Sequence, residues 1–566
     1  MTTHFNPTKL KTNKMGSKIE DARPSVTLTQ GTVVGITLTE SLPRPVEAFK
    51  GIPYALPPTG DRRFRAPVKV EPSTKTIDAS KWGPVAPGKQ LFPGGPSFEY
   101  SEDCLTANVF RPQISTSQSE SKKSLLPVAV YIHGGAFNRG TAMMHNTASF
   151  LANSGQELIA VSFNYRIGAL GFLPSTMSFE EGAVNLGLKD QLLLLEWVRD
   201  NISAFGGDPN NVTLFGISAG GHSIGHILMH DEGQYDPPLF HKVILESGAP
   251  TSRAVRPYSA PIHEAQFADF LAETGCPPGL SAAETFAHLR SAPSEVVQKA
   301  QITVFDKYNP SLRWAFQPVI DGDIIPRPPI ESWRLNKWRK VPIMTGFNRN
   351  EGSIYISKKV SKSEEFTKFF ADLLPLLSKE DVETIDRLYP DPLTVAGSPY
   401  KEQLDGTGAQ YRRLEVAYGQ YAYVAPVRQT ADLASKASPE PVYLYQWGLE
   451  SSLLDRARHG ENMYYETCEP AKTKISPTQK ELCLTLNAYI TSFILAGDPN
   501  AVRGESSPDR PTWEKYVAAD PKALVFGEEN KELIGGEPGV PARLHPDTWA
   551  RKESEFWWSK VDLSQQ

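Results

Sequence analysis

The run Val212-Thr-Leu-Phe-Gly-Ile-Ser-Ala-Gly-Gly221 constrains this chain more than any other stretch. A β-prone segment leads into Gly216, Ser218 stands between Gly216 and Gly220, and a helix-compatible segment, Ala219–Met229, leads out. A strand that turns directly into a helix leaves little room where the two approach, so both glycines read as positions that must lack a side chain. Such a turn holds the serine under strain and aims the first helical N–H groups, the positive end of the helix, at its hydroxyl. A glycine-rich turn with an incidental serine shares the same five residues. The strand before and the helix after set this one apart. No Gly-Lys-Ser/Thr follows, which argues against a phosphate loop.

Further short apolar runs end in turn residues: Pro127–Ile132, Leu158–Phe163, Lys242–Leu245 and Val341–Thr345. Helix-like stretches lie between them, notably Leu188–Ile202. Buried strands alternating with helices predict an α/β fold with a mostly parallel central sheet and helices on both faces. In such sheets chemistry gathers at the carboxyl ends of the strands. No internal repeat or long linker divides the chain. One domain over residues 25–566 is expected, after a polar, flexible N-terminal tail at 1–24, with Ser115–Ser124 as an exposed loop. The net charge of −5 gives no electrostatic reason for a nucleic-acid partner. No apolar run approaches the roughly 20 residues of a membrane span.

A serine hydroxyl becomes a nucleophile only when a base takes its proton and an acid orients that base. Among eleven histidines, His459 lies in the polar loop Arg456-Ala-Arg-His-Gly-Glu-Asn462, a setting that suits a mobile base; periodicity leaves His241 and His545 open beside it. Glu351 follows a strand and turn, which places a carboxylate near a strand's carboxyl end. His133-Gly134-Gly135 follows another strand, and its two glycines leave backbone N–H groups open to a ligand, as an oxyanion hole requires. The N–H of Ala219 would be the third donor. His222, His226 and His230 recur every four residues, but each step overshoots a full turn by about 40°, so the outer two diverge by about 80°. With no HExxH glutamate beside them, no metal is expected.

Collinear blocks then match a known family. They include Phe49-Lys-Gly-Ile-Pro-Tyr-Ala55, Ser101-Glu-Asp-Cys-Leu105, Tyr131-Ile-His-Gly-Gly-Ala-Phe137, Asn185-Leu-Gly-Leu-Lys-Asp-Gln191, Phe205-Gly-Gly-Asp-Pro209, the serine motif, and Leu245-Glu-Ser-Gly248. From about Gly31 to the last hundred residues the chain resembles the type B carboxylesterase/lipase family, which also contains the cholinesterases. The resemblance implies an α/β-hydrolase fold. It places a catalytic triad on Ser218, Glu351 and His459, and an oxyanion hole on Gly134, Gly135 and Ala219. It also implies that Ser247 supports the acid.

The departures also carry expectations. Family members usually carry Glu just before the nucleophile; Ile217 stands here and should make the pocket more apolar. The segment Gly88–Tyr100 holds Phe92, Phe98 and Tyr100 but no Trp, which argues against a choline ester. Phe137, Ile217 and Trp314 are candidate pocket walls. The sequence alone permits one or two bridges among Cys104, Cys276, Cys468 and Cys483. The family's bridges at Cys104 and Cys276 have each lost a partner, and no signal peptide is evident, so a cytoplasmic location is expected. The expected reaction is cofactor-free hydrolysis of a small or medium hydrophobic carboxylic ester through an acyl-enzyme. The alternatives are an acyltransferase with the same triad and a non-catalytic binding protein.

Overall fold

The structure is a computed structural model and describes residues 23–90, 98–113, 124–253, 255–503 and 509–564. Most of the expected tail, 1–24, and of the expected loop, Ser115–Ser124, lies outside the described residues. Arg23 and Pro24, at the end of the expected tail, are fastened to the body. Arg23 Nε donates to the Gly35 carbonyl at 2.8 Å, and the Gly35 N–H donates to the Pro24 carbonyl at 2.8 Å.

An eleven-stranded sheet draws strands from residue 36 to residue 546. Its centre is parallel, in the spatial order Lys522–Glu528, Val442–Trp447, Ile343–Asn348, Lys242–Glu246, Gly207–Ile217, Leu126–Ile132, Ile159–Phe163. Antiparallel strands close both flanks: Val540–Pro546 on one side, and Thr106–Pro112, Val46–Pro53 and Ile36–Leu38 on the other. A separate small sheet holds Ser25–Leu28, Gly31–Val34 and Thr76–Asp78.

The middles of the central strands are mostly apolar because both of their faces are covered. Val128, Val130 and Ile132 point into one core with Val212, Leu214, Val243 and Leu245, beneath the helices Leu186–Asn201 and Ala219–Asp231. Ala129, Tyr131, Phe215 and Ile244 face the other core, covered by Thr147–Asn153 and Pro477–Ala496. The two-residue alternation of a strand thus sorts one run of side chains between two layers. A third, helical core holds Phe366, Phe370, Tyr389, Tyr411 and Trp557. It brings Tyr418, Tyr421 and Tyr423 with it, on the helix Tyr411–Gly419 and the π-helical segment Gln420–Val424.

Candidate active site

Five neighbouring strands deliver the predicted residues to one edge of the sheet, each just past a carboxyl end. Leu126–Ile132 leads to Gly134 and Gly135, Gly207–Ile217 to Ser218, Lys242–Glu246 to Ser247, and Ile343–Asn348 to Glu351. The loop after Val442–Trp447 carries His459. Parallel pairing aligns these ends, so residues more than two hundred positions apart meet.

Ser218 has φ 58° and ψ −123°, a conformation that L-residues rarely adopt. Its N–H donates to the Glu246 carbonyl at 2.8 Å, and its carbonyl accepts the His222 N–H at 2.9 Å, so the turn is pinned on both sides. A Cβ at Gly220 would sit 2.0 Å from the Ile132 carbonyl oxygen, and one at Gly216 would sit 2.5 Å from it. Both glycines are therefore required by the approach of the neighbouring strand. A Cβ at Gly134 would lie 3.1 Å from the Ser218 Cβ, which places the glycine loop directly against the serine.

Within that loop the Gly134 carbonyl faces His133 Nδ1 at 2.8 Å, and the Gly135 carbonyl accepts from the N–H groups of Asn138 and Arg139, each at 3.1 Å. The carbonyls are thus engaged inside the loop. Ala219 opens the helix Ala219–Asp231, where an N–H has no carbonyl a turn earlier to meet. His133 stacks on Tyr165 at 4.3 Å, and burial holds it down at about 4, so it is neutral at physiological pH.

His459 Nδ1 is hydrogen-bonded to Glu351 Oε2, and the other carboxylate oxygen accepts the Asn348 N–H at 2.7 Å. Glu351 is fully buried. Two loops are stitched together beside this pair: the Asn350 N–H donates to the Ala457 carbonyl at 2.9 Å, and Asn348 Nδ2 to the Arg458 carbonyl at 2.6 Å. Asn348 Nδ2 also reaches Asn462 Oδ1 at 3.2 Å, and Asn462 Nδ2 donates to Glu246 Oε1 at 3.0 Å. Glu246 and Glu466 form a buried carboxyl pair. Burial pushes both up, and proximity to Glu246 raises Glu466 further.

Ser218, His459, Gly134, Gly135 and Ile217 line one cavity, with Met144, Ile354, Tyr355, Ile356, Met463 and Tyr464 as apolar wall. Arg139, Lys358, Asp455 and Arg458 also border it. Tyr423 and Tyr355 pack on the imidazole, with ring centroids 4.5 and 5.4 Å away.

Three predicted residues take other places. Phe137 packs against Phe172 at 4.9 Å and is not among the lining residues of the cavity that holds Ser218 and His459. Trp314 stands behind Tyr355, 5.6 Å away, and lines a neighbouring cavity. Each ring is claimed by another aromatic before it reaches the site. Ser247 lies beneath the acid's strand, but its buried hydroxyl has no partner among the described residues; its N–H donates to the Gly346 carbonyl at 2.7 Å. The Asn348 backbone holds the acid instead. Sequence reading passed over Tyr355, Tyr423, Asn348 and Met463. Met463, four residues past His459, could have been found by spacing; Tyr423 comes from a distant helix and could not.

His222 and His226 are buried, and His230 Nδ1 faces the Asp323 carbonyl at 3.2 Å. Burial holds His222 well below the usual imidazole range and His226 at about 3. Phe98 and Tyr100 border an adjoining cavity, which shares Met144, Met463 and Tyr464 with the one that Ser218 lines. Phe92 lies outside the described residues.

A parallel sheet with a strained serine at a strand-to-helix turn, and an imidazole–carboxylate pair in the loops after later strands, defines an α/β-hydrolase. Comparison with known proteins narrows the class. The family described as "Carboxylesterase family" matches residues 22–539, and the chain belongs to it. It is 35% identical over 531 residues to "Secreted lipase 4" of Gibberella zeae, which spans 93% of this chain and 91% of that one. It is 32% identical over 498 residues to the "Para-nitrobenzyl esterase" of Bacillus subtilis, spanning 86% and 92%. The crystal structure of Aspergillus niger EstA superposes with a TM-score of 0.80 at 26% identity, covering 96% of this chain and all of that one. The chain is a serine hydrolase of carboxylic esters; the acyltransferase alternative is not favoured.

The expectation of a cytoplasmic location is corrected by the relative named as a secreted lipase. All four cysteines are free. The inference from missing bridges fails for a physical reason: small secreted domains need disulfides, whereas a core this large holds without them. Among the described residues no helix is long and apolar enough to cross a membrane.

Proposed function

We propose that Ser218, His459 and Glu351 carry the hydrolysis, on an ester whose groups flanking the carbonyl are hydrophobic. The imidazole takes the Ser218 proton through Nε2, because Nδ1 is committed to Glu351. The alkoxide attacks the ester carbonyl, and the oxygen that gains charge turns toward the amides of Gly134, Gly135 and Ala219. The imidazolium, stabilised by Glu351, protonates the leaving alcohol. Water then repeats the sequence on the acyl-enzyme and regenerates Ser218.

The observation that carries this reading is the single cavity into which Ser218, His459 and the Gly134–Gly135 loop all open. Ile217 and the Met144, Ile354, Ile356 and Met463 walls support a hydrophobic substrate, because burying apolar groups contributes about 25 cal/mol per Å². Purified Ser218→Ala should lose roughly 10⁶ in kcat on p-nitrophenyl butyrate. A fluorophosphonate probe should label Ser218 in the folded wild type and nothing in the variant. Full activity of the variant would overturn the assignment.

A further inference from the structure

Behind the wall formed by Trp314, Tyr355 and Tyr423 lies a small, partly open pocket that the hydrolytic reaction does not use. Arg253, Arg256 and Arg313 line it together, and no aspartate or glutamate is among its lining residues. Arg253 has the neutral tyrosines Tyr355, Tyr418 and Tyr423 and the cation Arg139 as electrostatic neighbours, and Arg256 has Tyr421 and Arg313. Arg253 Cζ sits 3.8 Å from the Trp314 ring centroid, and Nη2 donates to the Tyr423 hydroxyl. The aromatic faces offset part of the cost of desolvating this cation. They leave Nε and Nη1 of Arg253 buried without an acceptor among the described residues, and Nε of Arg313 is in the same position. The remaining ionisable neighbour, His263, adds no negative charge: burial holds it at about 4, and its Nδ1 faces Gln266 Oε1.

Three guanidiniums around one space repel each other, and the buried N–H groups of Arg253 and Arg313 that lack a partner among the described residues cost free energy. Both costs fall when an anion with several acceptor oxygens enters, because the planar arginine fork matches carboxylate and phosphate geometry. We propose that this cavity is a binding site for a small oxyanion, a carboxylate or phosphate group held by Arg253, Arg256 and Arg313. The group is either a free anion or the acid end of a larger ester.

The test uses the full chain. Thermal unfolding in sodium succinate or inorganic phosphate is compared with sodium chloride at matched ionic strength. A saturable rise in Tm of about 2 °C is expected for the wild type, and no rise for the Arg256→Gln/Arg313→Gln double variant. Arg313→Gln alone, at a half-buried arginine, supplies the reading if the double variant fails to fold. Hydrolysis of p-nitrophenyl hydrogen adipate and p-nitrophenyl hexanoate separates the two sources. A KM about tenfold higher in the variant for the acidic ester only assigns the anion to the substrate. Unchanged KM for both esters, with the Tm response lost, assigns it to a free ligand. The proposal is overturned if neither anion raises Tm and both esters behave alike in wild type and variant. It is also overturned if the Tm rise persists in the variant.

Discussion

Ser218 occupies a conformation that glycine tolerates far better than serine, so under the proposed mechanism catalysis and stability pull in opposite directions at this residue. Ser218→Gly should therefore unfold at higher denaturant than Ser218→Ala, by about 1 kcal/mol, while both lack activity. Equal midpoints would remove the strain argument. Glu415 is a second residue with a defined titration. It is buried, accepts from Asn350 Nδ2 at 3.0 Å beside Glu351, and is pushed up to about 7 by burial. Between the ordinary carboxylate range and pH 7 the folded state holds this proton and the unfolded chain does not. Stability contributed by this group is present at low pH and falls as pH rises through that window. Glu415→Gln, which keeps the hydrogen-bonding shape without the charge, should melt higher relative to wild type at pH 8 than at pH 5. The opposite ordering of the two differences would show that Glu415 is ionised in the fold.

The strand Gly207–Ile217 and the helix Ala219–Asp231 form one device rather than two elements. Their closeness to Leu126–Ile132 sets where the serine hydroxyl points relative to the glycine loop. Gly220→Ala would drive a methyl group onto the Ile132 carbonyl, a backbone atom with no freedom to swing aside. The expected cost is about 2–3 kcal/mol in chemical denaturation, together with a lower kcat, since the strand and helix must part. A stable variant with full kcat would mean that the turn is looser than described. The π-helical segment Gln420–Val424 works from the opposite side and places Tyr423 on His459. π-turns are frequent at functional sites because the extra residue re-aims side chains.

At the scale of the whole molecule, a buried ion pair fastens the helix Ala425–Ala437 to Asp547, just past the last strand of the sheet. Arg428 Nε and Nη2 each meet Asp547 at 2.7 Å, and Nη1 donates to Ser554 Oγ at 2.6 Å. Arg428 and Asp547 side chains are both fully buried. Asp547→Ala would strand the guanidinium, at an expected cost of about 3–5 kcal/mol and several degrees in Tm. The arginine's helix, Ala425–Ala437, continues directly from the segment that carries Tyr423, so KM should change along with Tm. An unaltered unfolding midpoint would show that the pair contributes nothing net.

How much of this was legible beforehand depended on how local each signal is. The strand, glycine and serine of Val212–Gly221 announce themselves because a turn that tight admits few sequences, and the central strands read as apolar runs because both faces are buried. Glu351 and His459 came from family blocks more than from spacing, since an acid or a histidine in a polar loop has many uses. The antiparallel flanks, the helical core that carries Tyr423, and the displacement of Phe137 and Trp314 by neighbouring rings were not legible. Neither was the gathering of three arginines from separate segments around one space. The sequence by itself determined the turn that presents Ser218 and the alternation that builds the sheet, because those depend on residues a few positions apart. Only the tertiary structure decided which side chains wall the site and what holds its acid, because those are contests for space among residues hundreds of positions apart.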